Sequence, residues 1–352
     1  MNERVAVRVA AQYIKAGNGG IAEVARVTTK ALALGGPTAA LACLEPEDFK
    51  IEGAAVRAYR GARARFLLGL EAASLAPCRF VYDFAGTARS ARLLFPRRPY
   101  AVWAHGIEVW DDVRADRRAA LERADLVLVN SAYTRARGDP TLGRLRTVRI
   151  CRLGGYGDEP GARAPAPEAG PPTVLLLGRL ETGLPKGQGL LISIWPRVVA
   201  AVPDARLLLV GRGPALEAAR GLARASAAAG SIDVAGFVSE REIDAIWARA
   251  SVFAMPSLTE GFGLVFIEAM RRGLPVIASS ADAGAEVNID GVTGHTVDRK
   301  RPERLVEALV TLLRDRDLAG QFGAAGQERW RAEFSFSAFA ARLDASLSDF
   351  LT

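Results

Sequence analysis

The sequence predicts an α/β protein built from two doubly wound domains. Three observations lead to this prediction: a length of 352 residues, the alternation of short aliphatic runs with longer alanine-rich runs, and a Pro/Gly/Ala-rich segment near the middle of the chain. A chain this long exceeds what one hydrophobic core usually organises, so two domains are expected. Half of the residues are apolar and 24% are charged, which is the balance of a folded globular protein.

The first domain is predicted over residues 1–158. Its aliphatic runs are separated by stretches of helical composition, the pattern of consecutive βαβ units. We therefore expect strands at residues 5–9, 39–44, 80–84, 101–104 and 126–130.

The second domain is predicted over residues 173–328, after a linker at residues 159–172 that has neither apolar periodicity nor strand composition. Strands are expected at residues 174–177, 207–210, 232–234, 252–254, 276–278 and 296–297. Fully apolar strands of this kind belong to parallel sheets covered on both faces. Ligands of such sheets bind beyond the carboxyl ends of the strands, so the cleft between two facing domains is the expected active site.

The charge is unevenly distributed. Residues 1–158 contain 25 Lys and Arg against 16 Asp and Glu, a formal charge of +9, whereas residues 159–352 contain 21 against 23. A basic first domain is compatible with a nucleic-acid face, an anionic membrane surface or a phosphorylated acceptor, and also with scattered solvated arginines. No apolar run reaches the roughly 20 residues that span a bilayer, and no secretory signal begins the chain, so a cytoplasmic protein is expected.

Two cations follow the first predicted strand of the second domain. Arg179 and Lys186 are seven residues apart in a glycine- and proline-containing loop, so both can reach one point in front of the sheet. A planar guanidinium and an ammonium together suit the oxygens of a diphosphate. Two solvated basic residues are the alternative interpretation.

Two carboxylates accompany the segment TEGFGLVFIEAM, residues 259–270. A helix is predicted from about Gly263 to Arg272, with Glu260 before it and Glu268 within it. The free N–H groups at the start of this helix favour a phosphate, and the two carboxylates can accept hydrogen bonds from two sugar rings. A charge near the helix dipole and a solvated helical glutamate are the alternatives.

These segments carry a family resemblance. GRLETGLPKGQ, VAGFVSEREID and PSLTEGFGLVFIEAMRRGLPVIAS resemble the donor domain of the retaining glycosyltransferases of family 4, densely over residues 174–297. The resemblance implies the GT-B fold, with two Rossmann-like domains facing across a cleft. It also implies an acceptor-binding first domain, a nucleotide-sugar-binding second domain, and a final helix at about 329–352 that packs back on the first domain.

The resemblance also implies roles for individual residues. Arg179 and Lys186 would bind the donor diphosphate, Glu260 the transferred sugar and Glu268 the ribose. The remaining donor contacts would come from backbone groups around the nucleobase, the sugar and the phosphates, at Gly19, Gly20, Val238, Gly261, Phe262, Gly263, Leu264 and Val265.

His105 is the candidate catalytic residue of the first domain, together with Arg179, Lys186 and Glu260 of the second. It follows a predicted strand in AVWAHGIEVWDD, and the resemblance implies that it lies against the transferred sugar. The other histidine, His295, is interpreted as structural. No group of residues has metal-ligand spacing, so neither a metal nor a cofactor is expected, and Arg179, Lys186 and the helix dipole would neutralise the diphosphate.

The predicted function is retaining transfer of a hexose from a UDP- or GDP-sugar to a glycan, glycolipid or lipid-linked acceptor, in polysaccharide or lipopolysaccharide biosynthesis. Peripheral contact of the basic first domain with the anionic inner face of a membrane accompanies this prediction, and no nucleic-acid partner is expected. A GT-B epimerase or phosphorylase, a transferase with a soluble acceptor, and a non-catalytic sugar-nucleotide-binding protein are the alternatives.

Overall fold

The computed structural model describes residues 5–111, 113–161, 170–183, 185–239 and 241–352. It divides into two compact units, Met1–Asp158 with Phe334–Thr352, and Glu159–Glu333. Residues 162–169 of the predicted linker lie outside the described residues.

The first unit contains an eight-stranded sheet in the order β3-β4-β2-β1-β5-β6-β7-β8. The β3–β4 pair is antiparallel, and the other pairs are parallel. The central strands are almost wholly apolar because both faces of the sheet are covered. The strands are β1 Ala6–Ala11, β2 Thr38–Ala42, β3 Phe49–Ile51, β4 Ala54–Ala58, β5 Cys78–Tyr82, β6 Tyr100–Ala104, β7 Leu126–Val129 and β8 Val148–Ile150.

Helices connect these strands in βαβ units. They are α1 Gly20–Gly35, α2 Arg63–Ser74, α3 Ala85–Ala88, α4 Ile107–Trp110, α5 Ala115–Glu122, α6 Ala132–Arg137 and α7 Asp139–Leu142, with a 3₁₀ segment at Arg89–Leu93. Helix α2 buries Phe66 and Leu70 against the sheet and leaves Leu68 exposed.

The second unit contains a six-stranded parallel sheet in the order β11-β10-β9-β12-β13-β14. Its strands are β9 Thr173–Leu177, β10 Arg206–Val210, β11 Ile232–Gly236, β12 Val252–Met255, β13 Val276–Ser279 and β14 Gly294–Val297. Its helices are α8 Gln188–Ala201, α9 Leu216–Ala225, α10 Ile243–Ala248, α11 Leu264–Arg271, α12 Gly284–Val287, α13 Pro302–Arg314 and α14 Arg316–Arg329, with a 3₁₀ segment at Ala229–Ser231.

The chain returns to the first unit at its C-terminal end. A π-helical turn, Trp330–Phe334, precedes α15, Phe336–Leu351. The Ser335 side chain accepts a hydrogen bond from the Ala338 N–H and caps α15. Phe339 is buried in the first unit and stacks on Trp103, with ring centroids 6.4 Å apart.

Every predicted strand is present, with ends that differ by a few residues. The short strands β3, β4 and β8 were not predicted. Each is short, and a basic residue, Lys50, Arg57 or Arg149, interrupts its apolar residues. Pairing near the edges of a sheet depends on tertiary context more than on local propensity. In the part of the chain that the structure describes, no helix is both long enough and apolar enough to cross a bilayer.

Candidate active site

Lys186 and Glu260 form an ion pair in the second unit. Lys186 lies in the loop before α8, and Glu260 lies in the loop before α11. The two side chains are only 18% and 13% exposed. Burial lowers the pKa of Lys186, while the carboxylates of Asp282 and Glu181 act in the opposite direction and favour the ammonium form. The two groups predicted to contact the diphosphate and the sugar therefore lie at one point.

Asp282, in the loop after β13, fixes the backbone of Glu260 by a hydrogen bond. It is 2% exposed, and its Oδ2 accepts hydrogen bonds from the Ser257 hydroxyl at 2.6 Å and from the Glu260 N–H at 3.0 Å. Its Oδ1 accepts from the Gly284 N–H at 3.0 Å. Burial raises the pKa of Asp282, and these donors together with Lys186 oppose that shift. Asp282 was not predicted, because any residue can supply a backbone N–H donor and such contacts leave no pattern in the sequence.

Arg299, after β14, holds the Lys186 loop in place. Its Nη1 donates to the carbonyl of Pro256 at 2.5 Å and to that of Pro185 at 3.2 Å. The Pro185 carbonyl also accepts from the Leu258 N–H at 2.9 Å. One guanidinium thus joins the loop before α8 to the segment that follows β12.

Helix α11 begins where it was predicted to begin. Gly263 precedes it with φ of 88°, a conformation that L side chains rarely adopt, and an added Cβ would collide with the Phe266 ring. The first N–H groups of a helix have no acceptor within it, so those of Leu264 and Val265 can meet an anion in front of the sheet.

Three further predicted donor residues of this unit are Arg179, Glu268 and Val238. Arg179 is 72% exposed, and its Nε contacts Glu181 Oε1 at 2.6 Å. The two cations predicted to converge are therefore engaged by different carboxylates. Glu268 is exposed on α11. Val238 lies beyond the end of β11, next to the exposed ring of Phe237. The roles assigned to these side chains stay predictions.

His105 lies at the carboxyl end of β6 in the first unit. Its ring Nε2 is 2.7 Å from the Asp83 carbonyl oxygen, which can only accept, so Nε2 carries the proton. The His105 N–H donates to Glu108 Oε1 at 2.5 Å, and its carbonyl accepts from Asn130 Nδ2 at 2.9 Å. In the His-Gly-x-Glu pattern, the glutamate therefore also has a structural role, since Glu108 fixes the backbone of His105.

Two buried carboxylates shape the glycine loop after β1. Asp83 Oδ2 accepts from the Gln12 N–H at 2.7 Å, and Glu45 Oε1 accepts from the Ile14 and Lys15 N–H groups at 2.8 Å each. Burial raises the pKa of Asp83 to about 7. At the end of this loop Gly19, with φ of 95°, precedes Gly20, the first residue of α1, and both glycines are exposed. Glu45 was not predicted.

His295 packs in the second unit, as a structural histidine would. Its ring centroid lies 5.4 Å from that of Phe322, and its Nδ1 is 3.6 Å from Asp290 Oδ1. Among the described residues, no group of three or more His, Cys, Asp or Glu side chains could hold a metal ion.

Comparison with known proteins identifies the family. Residues 171–315 match the family described as Glycosyl transferases group 1. The GDP-mannose-dependent alpha-(1-6)-phosphatidylinositol monomannoside mannosyltransferase of Mycobacterium tuberculosis is 35% identical over 291 residues, which cover 76% of this chain and 74% of the relative. The chain belongs to the group 1 glycosyltransferases. The phosphatidyl-myo-inositol mannosyltransferase of Mycobacterium leprae is 38% identical over 163 residues, 45% of this chain and 42% of that protein.

Solved structures agree with the fold of a group 1 glycosyltransferase. The sucrose-phosphate synthase of Thermosynechococcus elongatus superposes with a TM-score of 0.80 at 22% identity, over 99% of each chain. Anabaena HepE, in its complex with UDP-glucose, gives 0.80 at 18% identity, over 98% of this chain and 100% of HepE. The predicted GT-B fold class is confirmed, and so is the prediction that the protein is a glycosyltransferase.

Proposed function

We propose that this glycosyltransferase moves mannose from GDP-mannose to a phosphatidylinositol-based glycolipid, with retention of configuration at the anomeric carbon. The observation that carries the proposal is the 35% identity, over three quarters of the chain, to a mannosyltransferase whose name specifies that donor and a phosphatidylinositol monomannoside. The predicted lipid-linked acceptor and GDP-sugar agree with it.

The Lys186–Glu260 pair supports the assignment of the donor site. When the bond between sugar and diphosphate breaks, negative charge develops on the departing phosphate oxygen. The Lys186 ammonium and the first N–H groups of α11 stabilise that charge, because fixed donors in a partly buried site need little reorganisation. Glu260, beside Lys186, accepts hydrogen bonds from hydroxyls of the transferred sugar.

Retention follows if the acceptor hydroxyl attacks the face that the diphosphate leaves. In that case the departing phosphate takes the proton of the attacking hydroxyl, and the protein supplies position and charge rather than a nucleophile. In His105 the Nε2–H is directed at the Asp83 carbonyl, so Nδ1 is the ring atom that can accept a hydrogen bond from a sugar hydroxyl. No metal ion takes part in this scheme.

A lipid acceptor brings the enzyme to a membrane surface, and we assign that contact to the first unit. Residues 1–158 carry a formal charge of +9. Such a surface is attracted to anionic lipids by about 1 kcal/mol per Lys or Arg near the bilayer.

The test combines each of four sugar donors with each of three acceptors, using the purified protein. GDP-mannose, GDP-glucose, UDP-glucose and UDP-galactose are each incubated with phosphatidylinositol, phosphatidylinositol monomannoside or mannose, and products are identified by mass spectrometry. We expect mannosylated lipid from GDP-mannose alone, with an α-linkage by NMR. Transfer only to free mannose, or only from UDP-sugars, would overturn the proposal. Release or epimerisation of the donor sugar without any acceptor product would favour the phosphorylase or epimerase alternative.

A further inference from the structure

A groove of about 770 Å³ lies on the face of the first sheet that α2 covers. It opens beside the middle of the strands, whereas the predicted site residues of this unit follow the carboxyl ends. The volume is in the range of sites that hold small organic ligands, roughly 300–1,000 Å³. None of its lining residues belongs to the predicted donor site.

The register of four strands explains why this groove exists. Arg8 of β1 pairs with Ala39 of β2, Ala39 pairs with Ala55 of β4, and Ala55 pairs with Lys50 of β3. One row on one face therefore reads cation, alanine, alanine, cation. With strands about 4.8 Å apart, the row is roughly 14 Å long.

Helix α2 presents equally small residues to this row. Its contribution to the lining is Gly69, Ala72 and Ala73. Small residues on both the helix and the sheet leave an apolar trough between them, where larger aliphatic side chains would fill the space.

The charged groups of the lining are mostly cations. Arg8, Lys50 and Arg57 line the groove, and within the described parts of the chain none of them forms an ion pair with a carboxylate. The single acidic lining residue, Asp48, already accepts a hydrogen bond from the Ala58 N–H at 2.7 Å. The groove therefore favours an anionic group.

Tyr59 forms part of the groove wall. Tyr59 lines the groove and is 8% exposed, and its hydroxyl has no hydrogen-bond partner among the described residues. A Cβ on Gly69 would collide with that hydroxyl, so Gly69 leaves the room that Tyr59 occupies. Buried hydroxyls ordinarily have a partner. The hydroxyl is inaccessible from the open groove, so the cations of the lining, and not Tyr59, are the groups that favour an anion.

We propose that this groove binds a single-chain anionic lipid, with the acyl chain in the alanine-lined trough and the headgroup against Arg8, Lys50 and Arg57. The backbone groups of the sheet are paired within it, so the trough offers few hydrogen bonds to a base or a sugar, whereas an apolar chain needs none. The anionic headgroup is either the phosphate of a phospholipid or the carboxylate of a free fatty acid, and either can bind the three cations.

Calorimetric titration of the full chain with monomeric lysophosphatidylglycerol and with oleate tests the proposal, with lysophosphatidylcholine as the zwitterionic comparison. Ala72→Leu fills the trough, and Ala64→Leu adds the same volume elsewhere on α2. Arg57→Glu removes a groove cation, and Arg65→Glu makes the same charge change outside the lining. Thermal melting establishes that each variant is folded.

We expect saturable binding of one anionic lipid per chain, weakened at least about tenfold by Ala72→Leu and by Arg57→Glu and unchanged by the two controls. Whichever of lysophosphatidylglycerol and oleate binds more tightly identifies the source of the headgroup. Absence of saturable binding, equal binding of lysophosphatidylcholine, or equal effects of the paired variants would overturn the proposal. Lys186→Ala should bind the lipid as the natural protein does, so this outcome is separate from the fate of the proposed transfer reaction.

Discussion

Asp282 Oδ2 accepts a hydrogen bond from the backbone N–H of Glu260 at 3.0 Å, so a buried carboxylate fixes the residue that pairs with Lys186. Asp282→Asn replaces one acceptor oxygen by a donor that faces N–H groups. We expect a loss of about 1–3 kcal/mol in unfolding free energy and at least about a tenfold fall in kcat, because the Glu260 carboxylate shifts. Denaturant unfolding and initial rates measure both, with the exposed Asp233→Asn as the control. If the variant is destabilised but its kcat is unchanged, Asp282 has a structural role only.

Lys186→Ala should lower kcat/KM by on the order of 10²–10³, the usual effect of removing one fixed charge-stabilising donor from a developing oxyanion. Lys186→Arg should recover part of that loss, since it retains the charge with a different shape. The exposed Lys300→Ala is the matched control on the same unit. Near-normal transfer by Lys186→Ala would contradict the site assignment.

The two histidines should behave differently. His105→Ala should reduce kcat/KM about tenfold, the scale of one hydrogen bond to a neutral sugar hydroxyl, and should also lower the melting temperature, because the Asp83 carbonyl loses its donor. His295→Ala should lower the melting temperature, because the ring packs on Phe322, and leave kcat/KM intact. Loss of kcat/KM in His295→Ala but not in His105→Ala would exchange their roles.

Asp83 predicts a pH dependence of stability. Burial raises its pKa from 3.8 to about 7 in the folded state, so between these values the folded chain holds a proton that the unfolded chain releases. Stability contributed by this group therefore falls as pH rises through that window, by at most about 1.4 kcal/mol per pH unit. The unfolding free energy of Asp83→Asn, relative to that of the natural protein, should increase as pH rises from 4 to 7. Urea unfolding measures this difference. The exposed Asp111→Asn should keep a constant difference.

Transfer should persist in EDTA. The proposed mechanism neutralises the leaving diphosphate with Lys186 and the start of α11, so chelation of divalent cations should change kcat less than about twofold, in contrast to sites where a metal supplies much of the charge stabilisation. Complete loss of activity that added Mg²⁺ restores would refute the metal-free scheme.

Sequence reasoning predicted the parts of the site that depend on short segments. The start of α11 and the neighbouring Glu260 follow from glycines and carboxylates within a dozen residues, and the apolar strands follow from their composition. Asp282 and Glu45 were missed, since each acts by accepting backbone N–H groups from a segment more than twenty residues away. Arg179 was predicted to converge with Lys186. Its partner in the structure is Glu181, two residues along the same loop, and Glu181 also favours the ammonium form of Lys186, so the shared diphosphate contact stays a prediction.

The Arg299 guanidinium, which donates to the carbonyls of both Pro185 and Pro256, has a thermodynamic consequence. Because two loops about seventy residues apart in the chain are tied together, the Lys186 loop has little conformational entropy left to lose when a nucleotide diphosphate binds. Arg299→Ala removes the nitrogen that donates to both carbonyls. Its signature would be a larger unfavourable entropy of nucleotide binding at nearly unchanged enthalpy.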